Sequence, residues 1–199
     1  MKWTVLTQEQ FNTTLWSGGT TTQLAISPAD AVYADRDFLW RLSSARVELE
    51  HSDFTPLPDY NRLISVLEGG LEMKVDGSDR FPLAPFTVCA FDGGVPVESW
   101  GQCTDFNLML RKGECRGNLQ SLQLDAGSSC RWVAAVPGGE EFPNCTLAVY
   151  CARGSVTLPE AGVHAEAGQL LLCEDAYSTA VSLASEQGAV LMLSAIYTD

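Results

Sequence analysis

Three short stretches place polar side chains two residues apart: Arg41-Leu42-Ser43, Tyr60-Asn61-Arg62 and Asp105-Phe106-Asn107. On a β-strand, residues two apart share a face. Arg41 and Ser43 therefore point the same way as Ala45 and Val47. Asp105 and Asn107 align with Met109 and Arg111, opposite an apolar row of Phe106, Leu108 and Leu110. A planar guanidinium can grip a carboxylate through two parallel hydrogen bonds. An arginine inside a barrel must be paired, because burying a lone charge is prohibitive. Two partners are open for it: Asp105 as an internal counter-ion, or the carboxylate of a bound ligand. A solvated outer face would give the same polar row.

Other constellations are poorer. Gly18-Gly19-Thr20-Thr21-Thr22 follows Trp16 and could cradle an anion on backbone N–H groups. It lacks dinucleotide-fingerprint spacing, and a β-turn is its simpler reading. The chain has two histidines, His51 and His164, one in each half and with no HxH. One imidazole per half cannot supply the two or three that an iron, manganese, nickel or zinc site of this kind needs. No metal ligand set and no cofactor are expected, and no activated nucleophile is evident. Asp105 could serve as a general base if burial raised its pKa.

The elements that must hold these groups are strands. Val47–Glu50, Leu71–Val75 and Asp105–Arg111 alternate, and Gly69-Gly70, Asp76-Gly77 and Asp92-Gly93-Gly94 punctuate them. Only Thr7 to Leu15 offers a short helix, with Thr7 as its N-cap. A faint repeat runs through the chain. Leu63–Gly77 reads strand, glycine turn, strand, and Leu147–Leu158 repeats that order. This is the order of the central hairpins of a cupin-type jelly roll, and two copies make a bicupin.

Composition narrows the partners. The 25 acidic and 12 basic residues give a net charge of −13. Nine of the Lys/Arg residues lie in residues 1–112. Without a basic surface, neither nucleic acid nor an anionic membrane is an expected partner. No apolar run approaches the ~18 residues of a membrane helix. The Met1-Lys2-Trp3-Thr4 start has no signal core, so a cytoplasmic location is expected. The cysteine count of seven is odd, without CxxC, and reads as reduced, mostly buried thiols.

Five stretches together resemble the HutD/Ves family of bicupin proteins. They are Trp16–Leu24, Asp37–Ala45, Ser52–Arg62 running into Leu67-Glu68-Gly69, Phe91–Gly94, and Asp105–Arg111. Ser17 and Asp59 depart from the commoner pattern of that family. The resemblance implies an all-β chain of two tandem cupin-type jelly-roll barrels with little helix. The division is expected as residues 1–115, carrying the ligand pocket, and residues 116–199, a structural barrel. It further implies a metal-independent binding protein for a small carboxylate of the N-formylglutamate type, linked to histidine utilisation or a stress response. Arg41 and Arg62 would pair with the acid groups. Thr20, Ser43 and Asn107 would give neutral hydrogen bonds, and Asp105 would hold an arginine in place. A metal-independent isomerase or hydrolase of a small acid is the alternative. Exposed strand edges make a homodimer possible.

Overall fold

The computed structural model describes residues 1–176 and 179–199. The chain forms two compact units, one of residues Phe11–Glu114, the other joining Met1–Gln10 to Cys115–Asp199. The expected division put residues 1–10 in the first barrel. Instead β1 (Thr4–Leu6) pairs antiparallel with the Leu170–Cys173 strand, through Val5↔Leu171, and so belongs to the second unit. The expected helix over Thr7–Leu15 is also absent. A single 3-10 turn covers Gln8–Gln10, where the Gln10 side chain accepts the Thr7 N–H at 2.9 Å. Asn12–Trp16 is a strand, because β-branched Thr13 and Thr14 gain a cross-strand partner in Thr22 and Thr21.

The Phe11–Glu114 unit contains β2 (Asn12–Trp16), β3 (Gly19–Ser27), β4 (Trp40–Val47), β5 (His51–Asp53), β6 (Tyr60–Gly69), β7 (Leu71–Val75), β8 (Phe81–Leu83), β9 (Val88–Asp92), β10 (Val97–Trp100) and β11 (Cys103–Arg111). They form a six-stranded sheet, β2-β3-β4-β11-β6-β9, and a four-stranded sheet, β5-β10-β7-β8. The other unit adds β12 (Cys115–Leu124), β13 (Ser128–Val133), β14 (Asn144–Leu158), β15 (Val163–Glu166), β16 (Leu170–Cys173), β17 (Ala180–Ser185) and β18 (Ala189–Thr198).

The repeat seen in the sequence is a repeat of topology. In the first unit β11 lies between β4 and β6, and β6 also pairs β9. In the second, β18 lies between β12 and β14, and β14 also pairs β16. β6 and β7 are separate strands in different sheets. Their counterpart β14 is one strand of 15 residues that passes from β16 and β18 to β15 and β17. Both corners turn on a glycine. Gly69 has φ 83° and Gly154 φ 72°, and an added Cβ would sit 2.4 Å from the Gln102 carbonyl oxygen or 1.9 Å from that of Gly188. Only a residue without a side chain allows that approach.

Both faces of the central strands of the first unit are covered. Leu42, Phe106, Leu108 and Leu110 are buried on one face, and Arg41, Ser43, Asp105 and Asn107 on the other. The polar row is thus barrel interior and not a solvated outer face. Along β6 the inward residues run Tyr60, Arg62, Ile64, Val66. Ile64 and Val66 pack with Leu71, Met73, Leu83 and Val97 into an apolar plug. One end of the barrel is filled and the other is left to polar groups. In the second unit the core is largely apolar, built on Leu147, Val149, Leu171, Leu183, Leu191 and Leu193, with Ser185 and Ser194 the buried polar side chains among the described residues.

Candidate functional site

The polar end of the first barrel holds a cavity of about 290 Å³. That is room for a ligand of modest size. Arg41 and Ser43 enter it from β4, Arg62 from β6, and Asp105, Asn107 and Met109 from β11. Five of the six residues selected from the sequence meet here. Thr20 does not line the cavity and its neighbour Thr21 does. The β2–β3 hairpin turns at Ser17-Gly18 and pairs Leu15 with Thr20, which fixes Thr21 on the cavity side. Gly18-Gly19 is therefore a hairpin turn and not an anion cradle.

The two arginines are held differently. The Arg41 Nε donates to Gln23 Oε1 at 2.8 Å and its Nη1 to Ser43 Oγ at 3.0 Å. Its guanidinium also lies 4.3 Å from the Tyr33 ring, and that of Arg36 lies 3.8 Å from the same ring. Arg62 is 7% exposed and rests on aromatic faces, 4.9 Å from Phe54 and 5.4 Å from Phe91. Among the described residues its Nε has no hydrogen-bond partner, and neither does Asn107 Oδ1. Among the described residues, no carboxylate comes within ion-pairing distance of Arg41 or Arg62.

Asp105 thus does not clamp an arginine directly, as the sequence led us to expect. Its Oδ1 accepts the Ala45 N–H at 3.0 Å, beside the bulge between Thr104 and Asp105. The Ser44 hydroxyl donates to the Asp105 carbonyl at 2.6 Å. On the β4 side the pairing passes from Thr104↔Arg46 to Asn107↔Ser43, and side chains answer the backbone groups between them. Burial pushes the Asp105 carboxyl up to about 6, against the Ala45 hydrogen bond and the fields of Arg62 and Arg41. Burial likewise pulls Arg41 down to about 10 and lowers Arg62.

Sequence reasoning missed Tyr33, Arg36 and Gln23. Tyr33 and Arg36 come from a loop that has no period to read. Arg36 has φ 58°, a left-handed turn that brings its guanidinium back over Tyr33. A hub beneath the site ties that loop down. The Tyr60 hydroxyl lies 2.9 Å from the Phe38 carbonyl oxygen and 3.0 Å from that of Arg36. Arg111 Nη2 donates to the Tyr60 hydroxyl at 3.0 Å and to the Arg36 carbonyl at 2.8 Å. Tyr60→Phe should destabilise the fold by about 0.5–1.5 kcal/mol, because one of these carbonyls loses its second donor while Arg111 still serves both. Urea denaturation measures this, and the Tyr33–Arg36 loop should loosen. The Asp92-Gly93-Gly94 stretch also positions rather than binds. The Gly93 N–H donates to the Tyr60 carbonyl at 2.8 Å, and the Gly93 carbonyl accepts from Leu57 at 2.6 Å.

The donor set does not suit a cation. No imidazole lines the cavity among the described residues, while three arginines face two carboxylates, Asp53 and Asp105. His51, Asp53 and Glu98 do bring their ligand atoms within 4.8 Å of one another on β5 and β10. That group is largely exposed, and the Lys74 ammonium already lies 3.2 Å from Glu98. His164 lies in the other unit, between Thr157 and Glu166. A second, shallower depression is lined by Trp100, Glu50 and Glu72, with Arg80 4.3 Å from the Trp100 ring and ion-paired to Glu72.

Two jelly-roll barrels, one with a largely apolar core and one opening on a buried arginine pair, define a bicupin whose polar cavity lacks imidazole ligands among the described residues. The family model described as HutD matches residues 8–192, and the chain belongs to that family. A protein described as an uncharacterized 21.2 kDa protein in the hutC 3' region of Pseudomonas putida is 40% identical over 87 residues, 42% of this chain and 45% of that one. Protein Ves of Cronobacter sakazakii is 31% identical over 90 residues, 43% of this chain and 49% of Ves. The matched part spans about half the length of these curated relatives. Among solved structures, a conserved protein of unknown function from Pseudomonas aeruginosa PAO1 aligns with a TM-score of 0.81 at 24% identity over 100% of both chains. HutD from Pseudomonas fluorescens SBW25 aligns at 0.77 and 22% over 99% of both. YhhW from Escherichia coli aligns at 0.69 and 11% over 97% of both. At these identities the structural likeness concerns the fold.

Proposed function

We propose that the Phe11–Glu114 unit binds a small carboxylate, without a metal, in the cavity between Arg41, Arg62 and Asn107. The observation that carries this is the buried arginine pair with no counter-ion in contact. A carboxylate supplies the acceptor that Arg62 Nε lacks and a counter-ion for both guanidinium groups. Asn107 Oδ1 asks for a donor, which an amide N–H on the same ligand would satisfy. An N-formylglutamate-like acid has both features. The P. fluorescens HutD structure was obtained in a formate condition, and formate is the smallest such acid. A regulatory role in histidine utilisation is consistent with the P. putida relative's place beside hutC. The seven free cysteines suit a reducing cytoplasm. Among the described residues no helix is long and apolar enough to cross a membrane. The second unit, with its apolar core, would be structural.

Isothermal titration with N-formylglutamate, glutamate, urocanate and formate tests the reading. Heat is expected with the first, and Arg41→Ala should weaken it by about 30-fold or more, the loss of a charge-assisted pair. No heat with any of the acids, or affinity unchanged in Arg41→Ala, overturns it. One observation favours an enzyme instead: Asp105, near pKa 6, could act as a general base. Turnover of a bound acid that is lost in Asp105→Asn, with binding kept, would select that alternative.

A further inference from the structure

A second feature lies at the edge of the six-stranded sheet. Strand β2 pairs only with β3, and all five of its residues are exposed. Leu15 is 86% exposed and Trp16 39%. An edge of this kind exposes a row of unpaired N–H and C=O groups, which proteins normally guard with charge, proline or a bulge. Here the guards are missing. Phe11 to Ala29 contains no charged residue, where a chain that is 19% charged would place about four by chance. Several other edges are guarded: β5 by His51 and Asp53, β8 by Pro82, β9 by Asp92, β13 by Arg131 and β15 by Glu166. The short edge β1 and the edge β12 also lack charge over most of their length, but their residues are partly buried, whereas β2 is exposed at every position.

We propose that β2 is a self-association edge, at which a second copy of this chain adds an antiparallel β2 and joins the two six-stranded sheets. Charge selects that occupant. Two copies at −13 repel over most of their surfaces, and contact costs least where neither carries a charge. The strand is also compatible with its own two-fold axis. With the axis at Thr14, Thr13 faces the second copy's Leu15, and Leu15 faces the second copy's Thr13. Whichever residues point their N–H and C=O outward, 13 and 15 or 12, 14 and 16, the set is symmetric about Thr14. Pairing would cover Leu15, the most exposed of the large apolar side chains on the molecule among the described residues. Thr14 and Trp16 also line the cavity rim, so the shared strand would form a wall of the site in each copy.

A five-residue strand pair is a small interface, so a micromolar dimer is expected. Sedimentation equilibrium across a concentration series should show monomer and dimer. Added salt should shift the balance toward dimer, because it screens the like charges. Leu15→Lys, exposed on the edge, should give a monomer at every concentration with unchanged circular dichroism, its melting temperature matching the unaltered chain's only at concentrations where that chain is also monomeric. Thr13→Pro is a second variant with the same expected result if N–H groups at 13 and 15 face outward. A wild-type chain that stays monomeric at all salt concentrations overturns the proposal and leaves the edge to a different protein. A dimer that persists in Leu15→Lys overturns it too. Neither outcome bears on carboxylate binding, which titration reads separately.

Discussion

Arg62→Met is expected to weaken carboxylate binding about 30-fold or more while leaving the fold as stable as before, or more so. Arg62 sits 7% exposed with its Nε unsatisfied and no carboxylate in contact. The native fold therefore carries most of the desolvation penalty of a cation without the compensating pair. Its alkyl stem and the Phe54 and Phe91 rings form a slot that an unbranched thioether fills well. Replacing a buried charge by an apolar residue of similar volume is neutral or stabilising by about 1–4 kcal/mol. The ligand, however, loses its deepest charged donor, which should weaken it by about 2–5 kcal/mol, or 30-fold to several thousand-fold. Thermal melts and calorimetry on the same samples read the two effects. Arg41→Met should behave differently. It orphans Gln23 Oε1, which now accepts from Arg41, and so should destabilise by about 1–3 kcal/mol. If both substitutions destabilise alike, Arg62 is a structural cation and the binding reading fails.

This contrast also shows how far sequence reaches. Strand alternation placed Arg41, Ser43, Arg62, Asp105 and Asn107 on inward faces, because a period of two survives in any antiparallel barrel. It could not tell a barrel interior from a solvated face, which depends on what covers the sheet. Thr20 failed because a hairpin's register decides which of two neighbouring threonines turns inward, and Thr21 took that place. Tyr33 and Arg36 were invisible because loop positions carry no period. The Asp105–arginine pairing looked natural by charge alone. The gap in the β4–β11 pairing between Thr104↔Arg46 and Asn107↔Ser43 overruled it: Asp105 answers the Ala45 N–H, a local backbone demand that composition does not show. The repeat was legible because both corners need glycine, whereas the crossing of β1 into the second unit rests on long-range pairing.

The consequence of the misjudged aspartate is a pH dependence with a definite sign. Asp105 is raised to about 6 in the folded protein, against roughly 3.9 for a solvated carboxyl. The native state thus holds the proton more tightly than the unfolded chain. Its contribution to stability is greatest below pH 4, declines as pH rises from about 4 to about 6, and stays low above that. The loss amounts to about 3 kcal/mol over those two units. The same carboxyl governs the ligand. Arg41 and Arg62 face it from β4 and β6, and Asn107, Arg36 and Asp53 line the same cavity. The nearby Cys103 thiol is pushed up to about 12 by burial and stays neutral. An arriving carboxylate adds negative charge beside Asp105 and favours its protonated form. Above about pH 6 binding must take up a proton, so the affinity should fall with rising pH, by up to tenfold per unit. A ligand carboxyl with an ordinary pKa near 3–4 is already ionised there and adds no slope of its own. Asp105→Asn keeps an oxygen for the Ala45 N–H and removes the titration. Its binding should be flat from pH 5.5 to about 8, and at the alkaline end tighter than that of the unaltered protein. Titrations at matched ionic strength in buffers of different ionisation heat measure both the slope and the proton uptake. A wild-type affinity that rises with pH would place the ionised aspartate, and not the protonated one, in the bound complex.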